Sequence, residues 1–314
     1  MKTATDNAFD KNLLHPRYWA TWFGLGGFWL LAWLPWKARH CLGDKIGAYI
    51  YRKNTKRRHI VLSNLRACFP ELTDHEHNEL AQQTMREYAC ALLDYSMLFF
   101  RSRQWLAQHM IIEGQDKLDD ALAQDKNIML LLGHSVWLEF APLTIGQHYS
   151  AYGSYKPFKN AVFNWLIARS RLKDVEFVIA REEGMIKLVR AMKPGRMLFF
   201  LPDQDHGSKH SVFAPFFGKP KATLTTPARI AKLGKASCFP VMTFFDHNSG
   251  KYKTVIGNSL EAFGQGTAEQ DAITMNESFE ELIALHPEQY MWLLKFFRTT
   301  QHQTEGLYTE LTTG

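Results

Sequence analysis

Short apolar runs without polar alternation occur at residues 128–132 and 197–201, and residues 175–180 are a further strand-like segment between them. Runs of that length bounded by turn-forming or charged residues read as strands buried on both faces. Between them, Phe163, Leu166 and Ile167 mark the buried face of a helix over residues 160–171, and a second helix over 182–192 stops at Pro194-Gly195. Residues 149–155 read as a further strand. Residues 239–245 and 252–256 read as a pair made antiparallel by the Asn248-Ser249-Gly250 turn, and residues 277–285 as a helix stopped by Pro287. Alternation of this kind predicts an α/β fold, with a mixed, mostly parallel central sheet flanked by helices. Residues 210–221, interrupted by Pro215, Gly218 and Pro220, read as a loop, after which Thr225 and Thr226 offer a cap to a helix carrying Ile230 and Leu233.

The first third is different. Residues 46–100 read mostly as helices: Ile60, Leu62 and Leu65 are apolar with Asn64 polar among them, and Phe69-Pro70 breaks the chain. Thr73 with Glu76 makes a capping box, and Leu80, Thr84, Tyr88 and Leu92 continue one face of the next helix. Earlier still, residues 18–36 carry no charge, a run of about the length that crosses a bilayer. Arg17 and Lys37 bracket it, and Trp19 and Trp36 sit at its edges as in interfacial aromatic belts. The expectation is a transmembrane or membrane-inserted N-terminal helix. Lys37, Arg39, Lys45, Arg52, Lys53 and Lys56 follow it, against Lys2, Lys11 and Arg17 before it, which puts the body on the cytoplasmic side. The run 52–58 reads either as a contact with anionic headgroups or as a solvated helix face. The divisions are then an anchor over 1–37, a helical region over 38–115, the α/β domain over 116–300 and a tail over 301–314.

Composition narrows the function classes. A chain of 314 residues can bury one large core, and its net charge of +6 favours anionic partners. Nothing resembles a nucleic-acid module. The four cysteines, Cys41, Cys68, Cys90 and Cys238, are far apart and suggest neither a disulfide framework nor a zinc site. No cofactor or metal is expected.

The chemistry gathers where strand 128–132 ends at Gly133 and delivers His134 to the crevice beyond the strand ends, the usual place for ligands in open α/β sheets. Val136, Phe140 and Leu143 predict a helix from residue 136. On one continuous helix His134 and Glu139 would point about 140° apart, so they meet only if His134 lies in the loop and Glu139 reaches back. That arrangement makes a dyad in which a carboxylate fixes the imidazole tautomer and leaves the other nitrogen to take a proton from a hydroxyl. The same residues also read as a helix cap and a solvated helix side chain. Ser135 offers a rival, since Gly133-His134-Ser135 begins like a nucleophile elbow, although Trp137 stands where the second glycine belongs. Asp203 and Asp205, after strand 197–201, could hold a divalent metal, as in some glycosyltransferases, or position a substrate and the neighbouring loop. Arg169 and Arg171 suit either a helix C-terminus or a phosphate.

Taken together, Asn64-Leu65 before Phe69-Pro70, Gly133-His134 with Glu139, residues 201–205, residues 220–223 and residues 286–290 resemble the late acyltransferases of lipid A biosynthesis over nearly the whole chain. Residues 203–207 and 292–295 look closest to the myristoyltransferase-like branch. Many relatives in the wider glycerolipid acyltransferase group carry Asp where this chain has Glu139, which favours the narrower family. The resemblance implies a bacterial inner-membrane enzyme moving a C12 to C14 acyl chain from acyl carrier protein to a hydroxyl of a 3-hydroxyacyl chain on a phosphorylated Kdo-lipid A precursor. It makes His134 the general base, Glu139 its orienting partner and Arg171 a substrate-positioning cation, with looser substrate-binding roles for Arg169, Asp203 and Asp205. The alternatives are a membrane-attached serine esterase or thioesterase using Ser135, and a lipid-binding membrane protein without turnover.

Overall fold

The computed structural model describes residues 9–155, 158–180, 184–301 and 306–308; Lys2, Arg181, Glu182 and residues 309–314 lie outside them. Helices come first: α1 (Trp19–Trp33), α2 (Trp36–Lys53), α3 (Thr55–Cys68), α4 (Asp74–Phe100) and the short α5 (Arg103–Ala107). Strands and helices then alternate as β1 (Met110–Glu113), α6 (Gln115–Ala123), β2 (Asn127–Leu132), α7 (Phe140–Gly146), β3 (Ser150–Tyr155), α8 (Ala161–Arg171), β4 (Phe177–Ala180), α9 (Met185–Arg190) and β5 (Arg196–Phe200). A hairpin of β6 (Ser211–Phe216) and β7 (Lys219–Leu224) leads to α10 (Thr226–Gly234), β8 (Ala236–Asp246), β9 (Lys251–Ile256) and α11 (Ala268–Ile283).

The main sheet is seven-stranded in the order β1-β9-β8-β2-β5-β3-β4, and only β8 and β9 pair antiparallel. β1 joins it by pairing with β9, so the sheet begins before residue 116. β2 lies between β8 and β5, and Ile128 to Leu132 are all buried, as an unalternating apolar run requires.

The uncharged run 18–36 does not form a membrane-crossing helix. Pro35 disfavours helical geometry at the residue before it, and Leu34 is extended (φ −70°, ψ 146°), so α1 ends at Trp33 and α2 starts afresh at Trp36. The 15 residues of α1 span about 22 Å at 1.5 Å each, short of the ~30 Å hydrocarbon layer. Among the described residues no helix is long and apolar enough to cross a membrane. Leu25 of α1 is buried against Val162 and Leu166 of α8, and the Phe28 and Phe99 rings lie 6.1 Å apart. Arg39, counted above as a charge flanking a span, is instead buried and bonded through Nε to Asp94 of α4 at 2.5 Å. The same carboxylate meets His40 Nε2 at 2.8 Å and accepts from the Tyr252 hydroxyl, fastening α2 and β9 to α4.

Four local expectations change. Residues 210–221 form the β6–β7 hairpin, because Phe217 and Gly218 both adopt positive φ (50° and 71°), the geometry of a tight two-residue turn. Pro215 and Pro220 face each other across it, which a two-stranded ribbon tolerates. In α4 the capping box of Thr73 and Glu76 forms as the spacing predicts, but the buried stripe runs through Ala81, Met85 and Ala89, and Leu92 is exposed. Phe163 of α8 is also exposed. Thr225 makes no side-chain cap on α10; its hydroxyl donates to the His210 carbonyl at 3.1 Å.

Candidate active site

β2 and β5 run parallel and adjacent, with Leu131 in register with Phe200. Their C-terminal ends therefore deliver two turns to one edge of the sheet, carrying His134 and Asp203. The first is built tightly: a Cβ at Gly133 would lie 2.9 Å from Met242 Cγ, and Gly133 N–H donates to the Val241 carbonyl at 2.9 Å. The expected helix from residue 136 does not start there. Val136 N–H is taken by the Gln289 carbonyl at 2.8 Å, Ser135 bridges Tyr290, and Met291 N–H donates to the His134 carbonyl at 2.8 Å. Residues 135–139 are thus held open by the C-terminal segment, and α7 begins at Phe140 with Glu139 preceding it.

His134 finds its carboxylate in Asp203. Its Nδ1 bonds Asp203 Oδ1, and its backbone N–H donates to Oδ2 at 2.7 Å. Tyr290 donates its hydroxyl to the same Oδ2 at 2.8 Å. Burial opposes the charge on Asp203, but the electrostatic attraction of the His134 ring, its ring and backbone hydrogen bonds and the Lys221 ammonium together hold the carboxyl below its ordinary range. An acceptor-only carboxylate at Nδ1 sets the tautomer with the proton there, leaving a lone pair on Nε2. That nitrogen meets the Gln204 side-chain amide Nε2 at 2.9 Å.

Glu139 is placed otherwise than the dyad expectation has it. Its carboxylate accepts from Arg171 through Nε at 3.1 Å and Nη2 at 2.5 Å, a two-pronged pair. The Glu139 charge raises the Arg171 pKa against the opposing effect of burial. Both residues line the same cleft as His134, a cavity of about 1020 Å³. Apolar side chains, among them Leu138, Val178, Leu188, Phe199 and Ile230, form much of its wall, while the exposed Lys159 and Lys209 add cations.

The remaining expected site residues are dispersed. Arg169 is exposed and lies over the Trp165 ring at 5.5 Å, beside a separate trough against α1. Asp205 is buried and accepts from Thr299 N–H at 2.6 Å, the Thr299 hydroxyl at 2.8 Å and Gly207 N–H at 2.8 Å. It pins the loop after β5 to the C-terminal segment. Asp203 and Asp205 thus serve different partners rather than one ion. Ser135 is wholly buried, and among the described residues its hydroxyl has no hydrogen-bond partner to activate it.

Sequence reasoning did not assign Tyr290, Gln289 or Lys221. Gln289 clamps β8 by accepting from Phe245 N–H at 2.8 Å and donating to its carbonyl at 3.0 Å. Lys221 is fully enclosed, with its Nζ over the Phe216 ring at 5.1 Å and, among the described residues, without a hydrogen-bond partner. Burial pushes its pKa down to about 8, opposed by the Asp203 and Asp205 charges. Asn64 donates to the Trp292 and Leu294 carbonyls at 2.7 Å each, which explains a polar residue in an apolar run.

Residues 7–299 match the family model described as bacterial lipid A biosynthesis acyltransferase. The chain belongs to that family. This acyltransferase is 32% identical over 306 residues to the lipid A biosynthesis palmitoleoyltransferase of Escherichia coli K12, covering 96% of this chain and 98% of that one. It is 31% identical over 303 residues to the lauroyltransferase of the same organism, with coverage of 96% and 98%. The E. coli myristoyltransferase matches at 26% over 305 residues, with 95% and 94% covered. Family membership implies a lipid A precursor as substrate. In this lipid A acyltransferase three of the segments that carried the family resemblance meet at the site: residues 133–134 bring the His134 ring, 201–205 the Asp203 carboxylate bonded to it, and 286–290 the Tyr290 hydroxyl and backbone that hold both turns.

Proposed function

We propose that the chain transfers a fatty acyl group, C12 to C14, from the thioester of acyl carrier protein to a hydroxyl on a 3-hydroxyacyl chain of a phosphorylated Kdo-lipid A precursor. The observation that carries this reading is the His134 ring, fixed at Nδ1 by a buried carboxylate while Nε2 faces a large, mainly apolar cleft. In that geometry His134 takes the proton of the attacking hydroxyl, and Asp203, rather than Glu139, orients the ring and stabilises the imidazolium that forms. The hydroxyl oxygen adds to the thioester carbonyl, the C–S bond breaks, and the departing thiolate takes the proton back from His134.

The apolar wall of the cleft suits acyl chains, and Lys159 and Lys209 suit the phosphates of the acceptor. Glu139 neutralises Arg171 and holds its guanidinium at the cleft, which makes the pair a positioning element for the acceptor. The net charge of +6 favours encounter with an acidic carrier protein. We place the enzyme at the cytoplasmic face of the bacterial inner membrane, where a lipid acceptor resides. The exposed Phe23, Trp29 and Trp33 support contact with that surface.

The test is mass spectrometry of a purified lipid A precursor incubated with carrier protein loaded with C12 or C14 chains. Gain of an acyl unit with wild type and not with His134→Ala is expected, and the favoured donor reports chain length. Free fatty acid released equally by both, with the precursor unchanged, would defeat the reading.

A further inference from the structure

Acyl transfer through a tetrahedral intermediate places negative charge on the former carbonyl oxygen, and that oxygen needs hydrogen-bond donors in place before the charge forms. A turn after a strand commonly supplies backbone N–H groups for this purpose, but four of those that follow Gly133 are spent. His134 N–H donates to Asp203 at 2.7 Å. Ser135 N–H donates to Gly133, Val136 N–H to Gln289 and Leu138 N–H to Ser135, at 2.8, 2.8 and 3.2 Å. The Arg171 guanidinium is engaged by Glu139 through two nitrogens.

Gln204 is differently placed. It follows Asp203 directly, so the residue that orients the base also fixes the position of its neighbour. Its side chain lines the cleft, and its amide nitrogen sits 2.9 Å from His134 Nε2, the atom that receives the proton. A donor at that distance from the base stands where the attacking hydroxyl must enter, and so next to the carbonyl that the hydroxyl attacks.

We propose that the Gln204 side-chain amide is the donor that stabilises the tetrahedral oxyanion, a catalytic role that rests on the acyl-transfer reading above. In the resting site the amide N–H occupies the Nε2 lone pair. When the acceptor hydroxyl takes that lone pair, the amide turns its N–H to the thioester oxygen. The new C–O bond then forms, the hydroxyl proton passes to Nε2, and the carbonyl π electrons move onto an oxygen that Gln204 meets. Collapse restores the carbonyl, breaks the C–S bond and returns the proton to the leaving thiolate, so no other reactant is required.

The experiment measures kcat, KM and the pH–rate profile of the full chain with acyl carrier protein thioester and lipid A precursor, for wild type, Gln204→Leu and Gln204→Met. Neither substitution keeps a donor, and methionine matches the length of glutamine, so a folding loss in one variant leaves the other to be read by its thermal midpoint. The expected result is a kcat lower by about 10²–10³-fold, a KM within about threefold of wild type and an unmoved pH–rate midpoint. Unchanged or raised kcat would overturn the proposal, since the amide would then be only a plug on Nε2. A moved midpoint with wild-type kcat at the new optimum would also overturn it, because Gln204 would then act through the imidazole. His134→Ala in the same assay separates the two layers: full activity there removes the general-base reading itself, whatever the Gln204 variants do.

Discussion

The Nδ1 atom of His134 is bonded to Asp203, 69 residues further along the chain, while Glu139, five residues away, is bonded to Arg171. Sequence spacing proposes one carboxylate for the histidine and the sheet supplies another. The two assignments differ in what each variant should do.

Asp203→Asn replaces an acceptor-only group by an amide that can present N–H to Nδ1, which would reverse the tautomer and remove the lone pair from Nε2. A kcat loss of about 10³–10⁴-fold is expected, with the fold retained. Glu139→Gln leaves His134 in place and frees Arg171, so its effect should fall mainly on KM for the acceptor. Steady-state kinetics of both variants check this, and a kcat loss in Glu139→Gln equal to that in Asp203→Asn would return the orienting role to Glu139.

Tyr290→Phe removes one of the donors that Asp203 Oδ2 accepts, inside a fully buried pocket. The carboxylate then lacks a partner that water cannot replace, at a cost of about 1–3 kcal/mol. Denaturant unfolding should show a lowered midpoint at unchanged slope.

Lys221 gives a pH signature of the same sign as the usual acid loss, stability falling as pH falls, but in the alkaline range. Its folded pKa of about 8 lies below that of an unfolded lysine, near 10.4, so the unfolded chain binds more protons between those values. Stability contributed by this site therefore rises as pH climbs from about 8 to about 10, by on the order of 3 kcal/mol. Thermal midpoints of wild type and Lys221→Met across pH 7–10 test this: the difference should shift in favour of wild type as pH increases, and a constant difference would contradict it.

Asp94→Ala leaves the buried Arg39 side chain without its carboxylate and takes an acceptor from His40 and Tyr252. A loss of about 3–5 kcal/mol is expected, because an uncompensated buried charge remains. Since none of these four residues lines the cleft, kcat per folded molecule should stay near wild type, which separates a stability defect from a catalytic one.

The sequence by itself determined the elements whose cause is local. An unbroken apolar run such as residues 128–132 suits only a strand covered on both faces, and the spacing of Thr73 and Glu76 suits only a helix start. Glycine at 133, followed by His134, likewise marked the turn, because a glycine that ends a buried apolar run punctuates a strand. What the tertiary structure decided depends on pairings between distant segments. The uncharged run 18–36 has the composition of a span, but Pro35 divides it and α1 instead lies against α4 and α8. Residues 135–139 have the periodicity of a helix, but their backbone is drawn onto residues 289–291, over 150 positions away. Asp203 reaches His134 because β5 was laid beside β2 in register, and strand order is set by how helices and strands cover one another rather than by spacing along the chain. The candidate chemistry of His134 was legible in one short stretch; the carboxylate at its Nδ1 was a property of the sheet.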